Sequence, residues 1–194
     1  MFRYVVITLV TISLFCIFGA EKISLCPAII DRTQWGALKA NKIQPLAENP
    51  APIVVVHHTD TPSCFSTLSC TKRVKSIQHY HKSTKGWDDI GYNFLIDSEG
   101  TVYEGRGWGL AGAHARGWNY RSIGISLIGK FQENSPSASQ LQALEALISC
   151  GVEKQNIAMN YSLIGHRQAT KTLCPGDSLF NIVKNMSHFV ANPE

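Results

Sequence analysis

The chain has 194 residues, a formal net charge of +4, and 16% charged against 44% hydrophobic residues. This length fits one domain that buries its own core, and the mild charge excludes the dense basic surface that typifies nucleic-acid binding. We therefore expect no nucleic-acid partner and only a weak attraction to anionic polymers.

The first twenty residues have the layout of a secretory signal peptide. Arg3 supplies a positive charge, Tyr4 to Phe18 is almost entirely apolar, and Gly19-Ala20 provides small residues for cleavage. The apolar run is too short to span a membrane comfortably, and no later segment is long and apolar enough to do so. We predict a signal peptide over residues 1–20, a secreted, extracellular mature domain over residues 21–194, and no membrane span.

The cysteines are expected to pair, because secretion places them in an oxidising compartment. Once the signal peptide is removed, an odd number remains. Cys64 and Cys70 bracket a short segment and predict a local bridge, whereas Cys26, near the mature N-terminus, is a candidate partner for Cys150. Cys174 is then a free thiol that needs another explanation, unless it takes part in a different or an intermolecular pairing.

The predicted elements alternate between strands and helices. Residues 21–52 form an irregular entry segment with a packed Trp35, and the four β-branched residues Ile53-Val54-Val55-Val56 predict a strand buried on both faces. The further elements are a helix over 71–83, strands over 92–97 and 101–104, a long loop over 105–119, a strand over 123–128, a helix over 137–150 with Gly151 after its end, a strand over 161–165 and a helix over 178–189. This alternation within one domain predicts an α/β fold with a mixed β-sheet.

Two histidines end the first strand, and a third follows a later one. His57 and His58 point to opposite faces, so one can face a cleft while the other packs or hydrogen-bonds on the far side, unless both simply cap the strand with satisfied hydrogen bonds. His166 follows a predicted strand in the same way, and Cys174 comes shortly after it. Two imidazoles and one thiolate are good ligands for Zn²⁺, and three protein ligands leave a fourth position open, as in catalytic zinc sites.

Segments in order along the mature chain resemble the peptidoglycan recognition proteins, which are related to the phage-type zinc amidases. They are Val56-His57-His58-Thr59, Asp89-Ile90-Gly91-Tyr92-Asn93-Phe94, Tyr103-Glu104-Gly105-Arg106-Gly107-Trp108, Gly112-Ala113-His114, Ser122-Ile123-Gly124-Ile125, Gly165-His166-Arg167 and Thr172-Leu173-Cys174-Pro175-Gly176. The resemblance implies a central mixed β-sheet flanked by helices, with a peptidoglycan-binding groove on one face. It also implies that His57, His166 and Cys174 bind zinc and that Tyr92 and Thr172 are the active-site residues that do not bind the metal.

The activity implied by this resemblance is that of a secreted, zinc-dependent N-acetylmuramoyl-L-alanine amidase of innate immunity. The bond cleaved would be the amide between the lactyl group of N-acetylmuramic acid and L-alanine. Tyr92 can donate a hydrogen bond to the developing oxyanion, but no carboxylate stands in an obvious general-base position. The alternative is a non-catalytic, secreted receptor that signals through a partner protein. Family members that only bind commonly lack the cysteine ligand, so the presence of Cys174 favours the enzyme, which we expect to be a monomer.

Further positions match the groove that contacts the muramyl peptide in the family, namely His58, His81, His114 and Asn119. Gly86, Trp87 and Arg106 match the family pattern associated with a meso-diaminopimelate stem peptide, whose extra carboxylate an arginine can hold with two hydrogen bonds. Each histidine could instead be an ordinary core or surface residue, and Trp87 a packed loop aromatic.

Overall fold

The computed structural model describes residues 26–194, so the predicted signal peptide lies outside the described residues. The strands are β1 (Ile29–Ile30), β2 (Ala51–His58), β3 (Phe94–Ile96), β4 (Val102–Glu104), β5 (Ser122–Leu127) and β6 (Ile157–Gly165). The helices are α1 (Arg32–Trp35), α2 (Thr67–His79), α3 (Ala138–Glu153), α4 (His166–Ala169) and α5 (Asp177–Val183), and a π-helical turn (Tyr80–Thr84) continues α2. Within this described range, no helix is long and apolar enough to cross a membrane.

The strands form one mixed sheet in the order β1-β4-β3-β5-β2-β6, in which only the β3–β4 pairing is antiparallel. Strand β2 lies between β5 and β6, so Val54 pairs with both Ile123 and Leu163. Val54, Val55 and Val56 are fully buried. Both faces of β2 are therefore covered, as a continuous run of β-branched residues predicts. The α/β fold with a mixed sheet is confirmed.

Helices cover the two faces of this sheet with separate apolar clusters. On one face, α3 and α5 contribute Leu144, Leu147, Leu179 and Val183. On the other, α1 and α2 contribute Trp35, Val74 and Ile77. Burying each of these aliphatic side chains contributes about 1.5–3 kcal/mol to the stability of the fold. The two layers therefore hold the sheet in place beneath the loops at its edge.

The helix boundaries differ from the sequence prediction at three points. Helix α2 begins at Thr67, four residues before its predicted start, because Ser66 caps it and forms a capping box with Ser69. Helix α3 is capped by Ser137 and continues through Gly151, beyond its predicted end. A Cβ at Gly151 would lie 2.5 Å from the Ile157 side chain, so this glycine allows close packing instead of ending the helix.

The C-terminal helix is shorter than predicted, because α5 ends at Val183 and not near Phe189. The chain beyond it covers the outer edge of β6. The Leu163 N–H donates to the His188 carbonyl, and the Val190 N–H donates to the Leu163 carbonyl. These bonds pair backbone groups of β6 that would otherwise be exposed at the edge of the sheet. This pairing overrides the helical spacing of the apolar residues after Val183.

The cysteine pairing follows the prediction. One disulfide joins Cys26 to Cys150 in α3, and the other joins Cys64 to Cys70 in α2. Cys174 is the free cysteine of the described chain.

Candidate metal centre and cleft

Two neighbouring parallel strands bring the candidate ligands to one edge of the sheet. His57 lies near the end of β2, and His166 begins α4 directly after β6, where Val56 pairs with Gly165. Cys174 lies in the loop between α4 and α5. One possible ligand atom from each of His57, His166 and Cys174 lies within 4.8 Å of the others. The structure thus assembles the predicted ligand set from residues that are far apart in sequence.

The orientation of the side chains suits a metal ion. The Nδ1 atom of His57 lies 3.7 Å from the Cys174 Sγ atom, and the centroids of the His57 and His166 rings are 4.3 Å apart. The Nδ1 atom of His166 is buried and has no hydrogen-bond partner in the described part of the chain. A buried polar atom without a partner costs about 1–3 kcal/mol, and a metal ion would remove this cost. Two nitrogens and one sulfur therefore fit Zn²⁺ with a fourth position left open.

Burial sets the protonation of all three groups. It lowers the pKa of His57 well below its ordinary value, an effect that His114 and His166 reinforce. It also lowers the pKa of His166 to about 4, so both imidazoles are neutral near pH 7, the form that binds metals. Burial raises the pKa of the Cys174 thiol to about 12, although the His58 backbone N–H opposes this shift. A metal ion must therefore displace the thiol proton.

A cleft of about 300 Å³ surrounds the metal-ligand cluster. It brings together most of the predicted site residues: His57, His58, Trp87, Tyr92, His114, His166, Thr172 and Cys174. The Tyr92 ring centroid is 5.4 Å from that of His57. Burial raises the pKa of Tyr92, so its hydroxyl keeps its proton and can donate a hydrogen bond. The Thr172 hydroxyl accepts a hydrogen bond from the Cys174 backbone N–H over 3.2 Å, which orders the loop that carries the thiol.

The other histidines of this region have different contacts. The Nδ1 atom of His58 accepts a hydrogen bond from the Phe131 N–H over 3.3 Å, so His57 and His58 serve different roles, as strand alternation requires. His114 lies behind His57, with its Nδ1 atom 3.0 Å from the His57 Nε2 atom. The Nδ1 atom of His81 accepts from the Gly91 N–H, and its ring centroid is 4.6 Å from that of Trp87. His81 thus supports the wall of the cleft from behind.

Besides His81, three predicted groove residues do not line this cleft. Gly86 is in the left-handed region, with φ 69°, at the turn before Trp87. The Asn119 Oδ1 atom accepts hydrogen bonds from the His114 and Ala115 backbone N–H groups. Arg106 lines a separate cavity of about 530 Å³. Their roles in substrate binding stay predictions.

Arg106 is held in place by backbone carbonyls. Its Nε atom donates to the Ile90 carbonyl over 2.7 Å, and its Nη1 atom donates to the Ala111 carbonyl over 3.0 Å. Arg32 and Asp89, which form an ion pair at 2.8 Å, line the same cavity. This cavity is larger than the metal-site cleft but contains none of the three candidate ligands. The smaller cleft is therefore the candidate metal site.

Two charged residues of the cleft were missed by the sequence reasoning. Asp60 and Lys130 line it and form an exposed ion pair at 3.4 Å. Asp60 has a left-handed backbone, with φ 53°. They come shortly after the ends of β2 and β5, and this position at the same edge as His57 could have identified them.

Comparisons with known proteins agree with this geometry. Residues 47–177 match the family model described as N-acetylmuramoyl-L-alanine amidase. The chain is 42% identical to peptidoglycan-recognition protein 2 of Holotrichia diomphalia over 190 residues, which cover 98% of each protein. It is 40% identical to the human N-acetylmuramoyl-L-alanine amidase over 169 residues, covering 86% of this chain and 29% of the human protein.

The fold is also shared with a solved complex. Peptidoglycan recognition protein-LE, in complex with tracheal cytotoxin, a monomeric diaminopimelic acid-type peptidoglycan, superimposes with a TM-score of 0.82. The two chains are 39% identical, and the match covers 84% of this chain and 96% of the other.

Proposed function

Because this chain belongs to the peptidoglycan recognition protein family, we propose that it is a secreted, zinc-dependent N-acetylmuramoyl-L-alanine amidase that binds peptidoglycan in innate immunity. The observation that carries this proposal is the convergence of His57, His166 and Cys174 within 4.8 Å in a cleft. The bond cleaved is the amide between the lactyl group of N-acetylmuramic acid and L-alanine. The mature enzyme comprises residues 21–194, follows a signal peptide over residues 1–20 and acts as a monomer.

The residues of the cleft have separate tasks in this reaction. His57, His166 and Cys174 hold the zinc, which when bound supplies Lewis-acid activation of the scissile carbonyl and of the attacking water. Tyr92 keeps its proton because it is buried, so its hydroxyl can donate to the oxygen that becomes negative as the amide is attacked. The Thr172 hydroxyl accepts from the Cys174 N–H and still has its own proton to donate.

The substrate class we propose is peptidoglycan with meso-diaminopimelate stem peptides. The solved complex of peptidoglycan recognition protein-LE with a ligand of this type supports the choice. In this chain, Trp87 forms part of the wall of the metal-site cleft, and we assign the additional carboxylate to the guanidinium of Arg106, which lines the separate cavity. Two of the Arg106 donors already bind backbone carbonyls, which fixes the direction of the group and leaves Nη2 for the ligand.

One experiment separates the enzyme from a receptor that only binds. The purified mature protein is incubated with diaminopimelate-type peptidoglycan, with a chelator, and with the chelator followed by zinc, and free stem peptides are quantified. We expect release in the first and third reactions only. In Cys174→Ser, hydrolysis should fall to background while peptidoglycan is still pulled down, because a hydroxyl is a poor zinc ligand.

A control variant in the same loop sharpens this test. Lys171→Ser changes an exposed residue and should behave as the parent does. Release at the parental rate by Cys174→Ser, or in the presence of chelator, would exclude the zinc mechanism. Binding without release by the zinc-loaded parent would instead support the non-catalytic receptor.

A further inference from the structure

We propose that His114 is a positioning residue that fixes the tautomer and the direction of His57 toward the metal, through a one-way chain of hydrogen bonds that continues to Ser122 and Trp118. This inference rests on the zinc site of the proposed function and does not depend on peptidoglycan hydrolysis. It gives His114 a role beyond the substrate contact that its resemblance to groove residues implies.

The direction of the chain follows from the atoms that face one another. The His57 Nδ1 atom faces Cys174, so it must be the metal-binding nitrogen without a proton, and the proton of the neutral ring is on Nε2. That N–H points at the His114 Nδ1 atom, 3.0 Å away, which must accept it. The His114 proton is then on Nε2, which faces the Ser122 Oγ atom at 3.5 Å. Ser122 in turn donates to the Trp118 carbonyl over 2.7 Å.

Each group in this series of hydrogen bonds has one protonation state that fits both of its neighbours. The Ser122 hydroxyl donates to a carbonyl that can only accept, so its oxygen is left to accept from His114. If His57 carried its proton on Nδ1, two lone pairs would face each other across the 3.0 Å contact, and a proton would block the metal.

Two glycines hold the His114 ring in the required place. A Cβ at Gly112, in the loop before it, would lie 2.3 Å from the His114 Cδ2 atom, and a Cβ at Gly124 in β5 would lie 2.4 Å from the same atom. The His114 backbone N–H is fixed separately by the Asn119 Oδ1 atom at 2.9 Å. The ring therefore has a fixed rotamer between two close backbone segments.

A pair of substitutions separates hydrogen bonding from packing. His114→Asn keeps an acceptor, because its Oδ1 atom corresponds in position to the imidazole Nδ1 atom, but it loses much of the ring volume. His114→Leu keeps more of the volume but leaves the buried His57 N–H without an acceptor. Zinc affinity is measured on the metal-free proteins by competition with a chromophoric chelator, with no peptidoglycan present.

The expected ranking is opposite to the one that packing predicts. His114→Leu should weaken zinc binding by about 10–100-fold, as the loss of an outer-shell partner of a metal-bound histidine typically does. His114→Asn should be affected clearly less. Equal zinc affinities for the two variants, or weaker binding by His114→Asn, would overturn the inference, as would a parent protein that binds no zinc.

A measurement on the parent protein tests the same point without relying on the folding of a variant. Nitrogen-15 NMR of the histidine rings distinguishes the two neutral tautomers. The expected result is a proton on Nε2 of His57 both with and without zinc. A proton on Nδ1 in the metal-free protein would overturn the inference. A parent that binds zinc with this tautomer but releases no stem peptides would refute the proposed hydrolysis alone.

Discussion

Zinc affinity should depend on pH through a single proton. Burial lowers the pKa of His166 to about 4, so this imidazole is neutral above pH 5, and burial shifts the pKa of His57 in the same direction. Burial raises the pKa of Cys174 to about 12, so the thiol is protonated throughout the range from pH 5 to 8. Zinc binding must displace that proton, and zinc affinity should therefore rise as the pH rises.

The size of the effect follows from the proton count. One displaced proton changes the binding free energy by about 1.4 kcal/mol per pH unit, which is a tenfold change in Kd. Between pH 5.5 and 8, affinity should thus rise by about 300-fold. Histidines with an ordinary pKa of about 6.5 would lower the affinity at pH 5.5 by a further 100-fold or so.

Two measurements count the displaced protons. Chelator competition at several pH values gives the slope of the logarithm of zinc affinity against pH, which should stay near one. Calorimetry at one pH, in two buffers with different ionisation enthalpies, gives the number of protons released on zinc binding. A slope that approaches three below pH 6 would show that the imidazoles are charged. A count near zero at pH 7 would show that Cys174 is already a thiolate, and either result would refute the reasoning.

Three further predictions concern recognition, catalysis and stability. Arg106→Ala should weaken binding to diaminopimelate-type peptidoglycan by about 1.5–3 kcal/mol, or one to two orders of magnitude, and change binding to the lysine type little. In pull-downs with both types, an equal loss would make Arg106 a general contact. Tyr92→Phe should lower kcat by about 10²–10³-fold, with peptidoglycan binding nearly unchanged. Hydrolysis at the parental rate by this variant would show that the Tyr92 hydroxyl takes no part in the reaction. The Cys26–Cys150 disulfide has a sequence separation of 124, and its removal should lower the free energy of unfolding by about 5 kcal/mol. The Cys64–Cys70 disulfide has a separation of 6, and its removal should lower the free energy of unfolding by about 2.5 kcal/mol. Urea denaturation of the two double-alanine variants tests this order, and a larger loss for the shorter loop would contradict the chain-entropy account.

The sequence predicted the centre of the fold well because its signals there are strong and local. Four consecutive β-branched residues before His57 indicate a strand covered on both faces. The structure places them in β2, which is buried on both faces. The position of His166 after a second predicted strand made it a candidate to join His57 as a zinc ligand, and the structure brings the two side chains together at the end of the parallel pair β2 and β6. The free Cys174 followed from the odd number of cysteines.

The errors occurred where distant contacts override local signals. Gly151 resembles a helix terminator but lies inside α3, because Ile157 packs too closely for a side chain. Apolar residues after Val183 have helical spacing, yet the chain leaves the helix to cover the edge of β6. The contact between His114 and His57 could not be derived from either segment, since it exists only once the loop before β5 packs against β2. Arg106 is likewise directed into the other cavity by contacts with the Ile90 and Ala111 carbonyls that the sequence does not reveal.

The position of β2 at the centre of the sheet has a consequence for how the protein is made. Both strands that pair with it, β5 and β6, are far downstream, so the apolar run Ile53–Val56 leaves the ribosome long before its partners exist. A β-prone apolar segment that is exposed during synthesis is prone to aggregate. Cys26 likewise becomes available to Cys64 and Cys70 before Cys150 is synthesised. The Cys26–Cys150 bridge can therefore close only after α3 has been made, whereas the Cys64–Cys70 bridge can close earlier, and Cys174, the last of the three candidate zinc ligands, is synthesised later still.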